Sequence, residues 1–231
     1  MKTTCDRARA WISLCVAFLM AMAAMVAGVG ATPAHAADAE AVAEWVFASN
    51  PNPTSDPSVD GNTFAATGGA DLTATLRPVA TDPLASYSYD STEKSIRYQG
   101  WDNGTGTKGW LVVLSTKGFT DLTVSSQQRS SGSGPRDFAL QISTDGQANW
   151  QDVGAWQNVD GGVLAVANAW SSAGAIDKLP LPASAAGKDQ LAIRWLVTST
   201  SSVSSGEGGL VGATGSSRIG NILVSGIPTG E

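Results

Sequence analysis

The stretch RDFALQISTDGQANWQDV, Arg136 to Val153, decides the fold class. Phe138, Leu140 and Ile142 alternate with Ala139, Gln141 and Ser143, the period-2 pattern of a strand with one apolar face. The pattern stops at Asp145-Gly146, a dipeptide suited to a tight hairpin with positive φ, and Trp150 and Val153 begin a return strand. The same alternation recurs outward from this hairpin. Leu122, Val124 and Ser126 face one way and Thr123, Ser125 and Gln127 the other. Leu191, Ile193, Trp195 and Val197 alternate with Ala192, Arg194, Leu196 and Thr198. Trp110 to Leu114 is almost continuously apolar, which predicts a central strand covered on both faces. Further strands are expected at Glu44 to Ala48, Leu72 to Leu76, Ser95 to Trp101, Asp152 to Trp156 and Arg218 to Ser225. Only Ala37 to Glu44 is compatible with a helix. Short strands separated by Gly, Ser, Asn and Pro turns predict an all-β, two-sheet sandwich.

The first residues read as a cleavable export signal. Lys2, Arg7 and Arg9 precede an apolar run, Trp11 to Ala27, broken only by Ser13; Ala34-His35-Ala36 then places cleavage before Ala37. A membrane anchor is the competing reading, but the run is short and no basic stop-transfer cluster follows it. Lipidation of Cys15 needs a small residue before it, and Leu14 stands there. The expected organisation is a signal peptide at 1–36, a short segment at 37–42, a sandwich domain at 43–228 and a tail or linker start at 229–231. The expected location is secreted or extracellular, with cell-surface association open.

Cleavage changes the chemistry available. Cys5, Cys15 and the single histidine, His35, all leave with the leader. Histidine-dependent acyl and phosphoryl transfer, cysteine nucleophiles and His/Cys zinc sites are thereby excluded from the mature chain. No phosphate-binding or dinucleotide fingerprint occurs. A paired-carboxylate site stays open. Yet Glu40, Glu44, Glu93, Glu207 and Glu231 are few and mostly terminal or in loops, and Asp82, Asp90 and Asp145 sit in turns. No catalytic residue is assigned, and the expectation is a non-enzyme. The whole chain carries 14 basic and 20 acidic residues; without the leader the balance is 11 against 19, a formal charge of −8. That sign argues against nucleic acid as a partner of the module, and no membrane contact is expected after cleavage.

Two sets of residues could bind something. In Trp101-Asp102-Asn103-Gly104-Thr105-Gly106-Thr107, Asp102 and Asn103 offer oxygens of the kind Ca²⁺ takes, and Trp101 could stack on a sugar face. A turn stabilised by Asp and Asn explains the same residues. Asn103-Gly104-Thr105 also has the form of a glycosylation sequon. Asp145 is a further oxygen donor for a metal, although turn chemistry alone accounts for it. No cofactor is required, Ca²⁺ being the one ion these loops would take. Seven tryptophans remain after the leader. Trp45, Trp110 and Trp195 lie in apolar strand patterns and read as core, whereas Trp101, Trp156 and Trp170 lie at strand ends beside loops. These three are the ligand candidates, with edge-capping as the alternative.

The hairpin partly resembles the Asp-box of sialidase-like propellers, with Ser143, Asp145 and Trp150 in matching spacing. Its glycine falls one position early, and Asn149 stands where that box has Thr. A broader resemblance spans Ala43 to Pro228. The order GFTDLTVSSQQRSSGSGPRDFALQISTDGQANWQDV, LPLPASAAGKDQLAIRWLVTST and GATGSSRIGNILVSGIP resembles a jelly-roll, galactose-binding-like module of secreted bacterial proteins. That resemblance implies a jelly-roll sandwich found with extracellular nucleases or metallophosphoesterases. The family's last strand reads Arg-Ile-Asp-Asn-Ile, but this chain has Gly220 in Arg218-Ile219-Gly220-Asn221-Ile222 and so lacks that carboxylate. Three readings follow. The first is a non-catalytic module for surface attachment, carbohydrate contact or support of a fused enzyme domain, with a cell-surface or environmental glycan as its partner. The second is the front part of a longer secreted nuclease or metallophosphoesterase. The third is a stand-alone structural or adhesive protein.

Overall fold

Alternation along the chain becomes alternating burial. The computed structural model describes residues 38–51, 54–55, 62–81, 84–153, 163–204 and 209–230. In β8 (Phe119–Ser130) Leu122, Val124, Ser126, Gln128 and Ser130 are buried, while Thr123, Ser125 and Arg129 between them are half-covered. In β9 (Asp137–Ser143) Phe138, Leu140 and Ile142 face the core. In β13 (Leu191–Val197) Leu191, Ile193, Trp195 and Val197 do the same.

Two antiparallel sheets enclose this core. One has six strands in the order β12 (Ala175–Pro180), β8, β14 (Ser216–Pro228), β6 (Ser95–Gln99), β5 (Ala85–Asp90). Its sixth strand, β1 (Glu40–Trp45), pairs with β14 beyond the end of β6. The other sheet runs β10 (Gln151–Asp152), β9, β13, β7 (Gly109–Leu114), β4 (Thr75–Val79), β3 (Asn62–Ala65), β2 (Thr54–Ser55), with β11 (Val163–Ala165) also on β9. β7 lies at the middle of its sheet. Its outward Leu111 is as buried as its inward neighbours, as the apolar run predicted.

Aromatic rings fill the sandwich in an unbroken file. Phe47, Phe64, Tyr87, Tyr98, Trp110, Trp101 and Phe138 follow one another at centroid separations of 5.4 to 6.2 Å, a range in which aromatic pairs attract.

Several local expectations change. Glu40–Trp45 is a strand, so the sandwich begins inside the segment expected to precede it. Its alanines favour helix, but pairing with β14 buries Val42, Ala43 and Trp45, and burial outweighs local propensity. At the other end β14 runs to Pro228, and the Thr229 N–H bonds to the Gly118 carbonyl, so the sandwich extends into the expected tail. Leu72 and Thr73 form a turn held by Asp71, and the strand expected there starts at Thr75. The strand expected to reach Trp156 is described only at Gln151–Asp152, and Trp156 lies outside the described residues.

Candidate functional site

The glycine-rich loop after β6 is organised from within. Trp101 is fully buried, donates its indole N–H to the Tyr98 carbonyl at 2.8 Å and packs on Trp110 and Phe138. It belongs to the core and offers no face to a ligand. The expected platform fails because the chain turns inward at Gly100, where φ is +85°, and carries the ring between the sheets. Asp102 is half-buried, and Asn103 is exposed in the left-handed region, φ +55°. The carbonyls of Gly100 and Asp102 both accept from the buried Lys108 ammonium at 2.7 Å. A lysine charge therefore uses two oxygens that a cation in this loop would draw on. Among the described residues no three His, Cys, Asp or Glu side chains cluster as metal ligands would.

Asp145 organises the hairpin that follows β9. Its Oδ1 accepts from Ser143 Oγ at 2.7 Å and from the Asn149 N–H at 3.0 Å, and its Oδ2 accepts from Asn149 Nδ2 at 2.8 Å. The Asn149 side chain and backbone, then Ser143, hold the carboxyl down at about 2. Ile142 pairs with Gln151, so the reversal is a longer loop than the tight turn expected, with positive φ at both Gly146 and Gln147. One face of Trp150 lies against the Arg194 guanidinium, 3.8 Å from its centroid. The hollow beside it, floored by Asp145, Asn149 and Trp150, has a volume of about 180 Å³. Ligand pockets usually start near 300 Å³.

The other sheet carries a larger polar arrangement. Arg218 in β14 pairs directly with Arg97 in β6 on one side and with Arg129 in β8 on the other. Residues opposite one another in adjacent strands share a face, so three arginines cross the outside of the sheet in a row about 10 Å long. Two carboxylates, Asp90 at the end of β5 and Glu93 in the turn to β6, brace two of them. Arg218 Nη1 donates to Asp90 Oδ2 and to Glu93 Oε2, and Arg129 donates to both Glu93 oxygens at 2.9 to 3.1 Å. Arg129 Nη1 also donates to the Asn168 carbonyl, and the guanidinium lies 5.7 Å from the Trp170 ring. The backbone N–H of Glu93, then Arg218, hold the Asp90 carboxyl below its usual range. The side chains of Arg129, Arg218, Glu93 and Asp90 are only 16 to 28% exposed. This is a fixed, partly desolvated network rather than a set of solvated surface charges.

Among the described residues, Trp170 is thus the one ligand candidate placed beside a polar array; it is half-buried at the edge of the row. Sequence alone does not reveal the row. Arg97, Arg129 and Arg218 are each one residue from an inward core position, but only strand register shows that they are neighbours. Gly220, where the resembled family has Asp, pairs with Ser95 of β6 and borders a register shift in the pairing of β14 with β8. A Cβ there would stand 2.9 Å from the Lys94 carbonyl oxygen and 3.2 Å from the Ser95 Cβ, so the position has no room for a side chain.

No family model matches the chain, and no curated protein matches it. Among solved structures it is similar to the N-terminal cellulose-binding domain of β-1,4-glucanase C from Cellulomonas fimi, determined by NMR. The two share 12% identity with a TM-score of 0.36, over 65% of this chain and 88% of that one.

Proposed function

We propose that this chain is an exported, non-catalytic β-sandwich module that contacts carbohydrate through the outward face of its six-stranded sheet. One observation carries the reading: planar hydrogen-bonding side chains stand in register across three adjacent strands with an indole at their edge. Sugars present hydroxyl pairs around a ring and an apolar C–H face, and protein sites meet them with fixed polar groups and an aromatic surface. The row supplies guanidinium groups, and Gln127 of β8 and Asn221 of β14, bonded to each other at 2.8 Å, extend it along the sheet. Rigidity supports the same reading, because groups already held by Glu93 and Asp90 lose little freedom on binding. The eight-stranded face is less suited, since its hollow is small and Arg194 already covers one side of Trp150.

A glycan array followed by calorimetry, each with and without Ca²⁺, tests the proposal. Saturable binding that weakens at least tenfold in Trp170→Ala supports it. Silence across the array, or binding that Trp170→Ala leaves intact, removes the site.

A further inference from the structure

We infer that the saccharide taken by this face carries a carboxylate, as a uronic acid does, and that Arg97 receives it. The inference rests on the carbohydrate reading above and adds the charge of the ligand. Arg97 stands between Ser88 of β5 and Arg218 of β14, at the same level as the two braced arginines. Its neighbours direct their guanidinium groups at Glu93, Asp90 and the Asn168 carbonyl. The Arg97 side chain makes no hydrogen bond and no ion pair among the described residues, and its Nε is buried without an acceptor. A buried N–H without a partner is costly, and arginine cannot relieve that cost by losing its proton. The position therefore holds a permanent charge and a free donor edge whose natural complement is the two-oxygen fork of a carboxylate.

Charge balance narrows the ligand. Among the described residues at the row itself, three guanidinium groups face two carboxylates, Asp90 and Glu93, and exposed Lys94 in the adjoining turn adds to the positive side. Neutral hydroxyls would satisfy the N–H groups but leave the surplus charge unmatched. A densely sulfated polymer would need many more cations than this surface holds. It would also meet repulsion from the strongly acidic remainder of the chain. Screening confines that repulsion to about 8 Å at physiological ionic strength, so one carboxylate seated on Arg97 feels chiefly the local surplus.

The test is calorimetry of the full chain with galacturonate, mannuronate and glucuronate oligomers, each beside its carboxyl-reduced counterpart, with sodium sulfate as competitor. At least one acidic oligomer is expected to bind tenfold or more tighter than its reduced partner, and Arg97→Gln should bring that pair within twofold. As a readout independent of the variant's folding, the Arg97 Nε–Hε NMR signal should shift on adding the acidic oligomer and stay in place with the reduced one. Equal affinity for acidic and reduced oligomers, an unmoved Arg97 signal, or displacement by equimolar sulfate would each overturn the carboxylate assignment. If neutral glycans bind and uronates do not, only this inference fails. If no saccharide binds, the carbohydrate reading falls with it.

Discussion

The indole N–H of Trp110 crosses the sandwich to the Ser217 hydroxyl at 3.1 Å, joining the middle strand of one sheet to the longest strand of the other. Gln128 Nε2 reaches the same oxygen at 3.3 Å. Both donors are buried, so removing their acceptor leaves two N–H groups unpaired. Ser217→Ala should cost about 2 kcal/mol in urea unfolding, and a loss below about 0.5 kcal/mol would show that the bond adds nothing net.

Trp101 and Trp170 should separate cleanly. Trp101→Ala empties a fully buried site in the aromatic file and is expected to cost about 3–5 kcal/mol. Trp170→Ala, at a half-buried edge, should cost about 1 kcal/mol while weakening saccharide binding at least tenfold. Equal destabilisation of the two variants would place Trp170 in the core as well.

Glu93 neutralises two arginines at once. Glu93→Ala should destabilise the fold by about 2 kcal/mol, because it leaves Arg218 with Asp90 alone and takes from Arg129 the carboxylate that braces it. Thermal unfolding of Glu93→Ala and the gentler Glu93→Gln would show whether the charge or the packing matters.

Asp145 predicts a pH signature. Its carboxyl lies near 2 in the folded chain against 3.8 ordinarily, so the folded state favours the ionised form. The resulting stabilisation is fully present above about pH 4 and is lost as pH falls through 2. The stability gap between wild type and Asp145→Asn should therefore be constant from pH 5 to 7 and mostly closed at pH 2. A gap that does not change with pH would assign the loop's order to other contacts.

Gly220→Asp restores the carboxylate of the resembled family and should fail sterically. The new Cβ meets the Lys94 carbonyl of the adjoining backbone, which cannot move aside cheaply. A loss of about 1–3 kcal/mol is expected from chemical denaturation.

Inward faces were readable wherever apolar residues alternate over five or more positions, as in β8, β9 and β13. Irregular strands were harder to see. β12 carries a register shift between Ile176 and Leu179 that breaks its period, and β1 is masked by helix-favouring alanines. In β5 the alternation is present, Tyr87 and Tyr89 between serines, but phenols read as surface until their ring contacts are known. The site was less legible for a physical reason. Trp101 and Trp170 look alike in sequence, each beside a loop, and only the direction of the turn after Gly100 distinguishes them. Arg97, Arg129 and Arg218 are far apart in the chain, and register alone aligns them.

The placement of β14 governs the timing of assembly. It is the last of the described strands in sequence, yet β1, β6 and β8 all hydrogen-bond to it. A chain emerging from its N-terminus onward must keep those three strands waiting, with their pairing edges open, until residue 228 is free. Contacts so distant in sequence close slowly, and the waiting intermediate is the state most exposed to aggregation. The arginine row is completed by the same late event, because Arg97 and Arg129 do not become neighbours until Arg218 slides between them. A newly made chain therefore has no such row until β14 has paired.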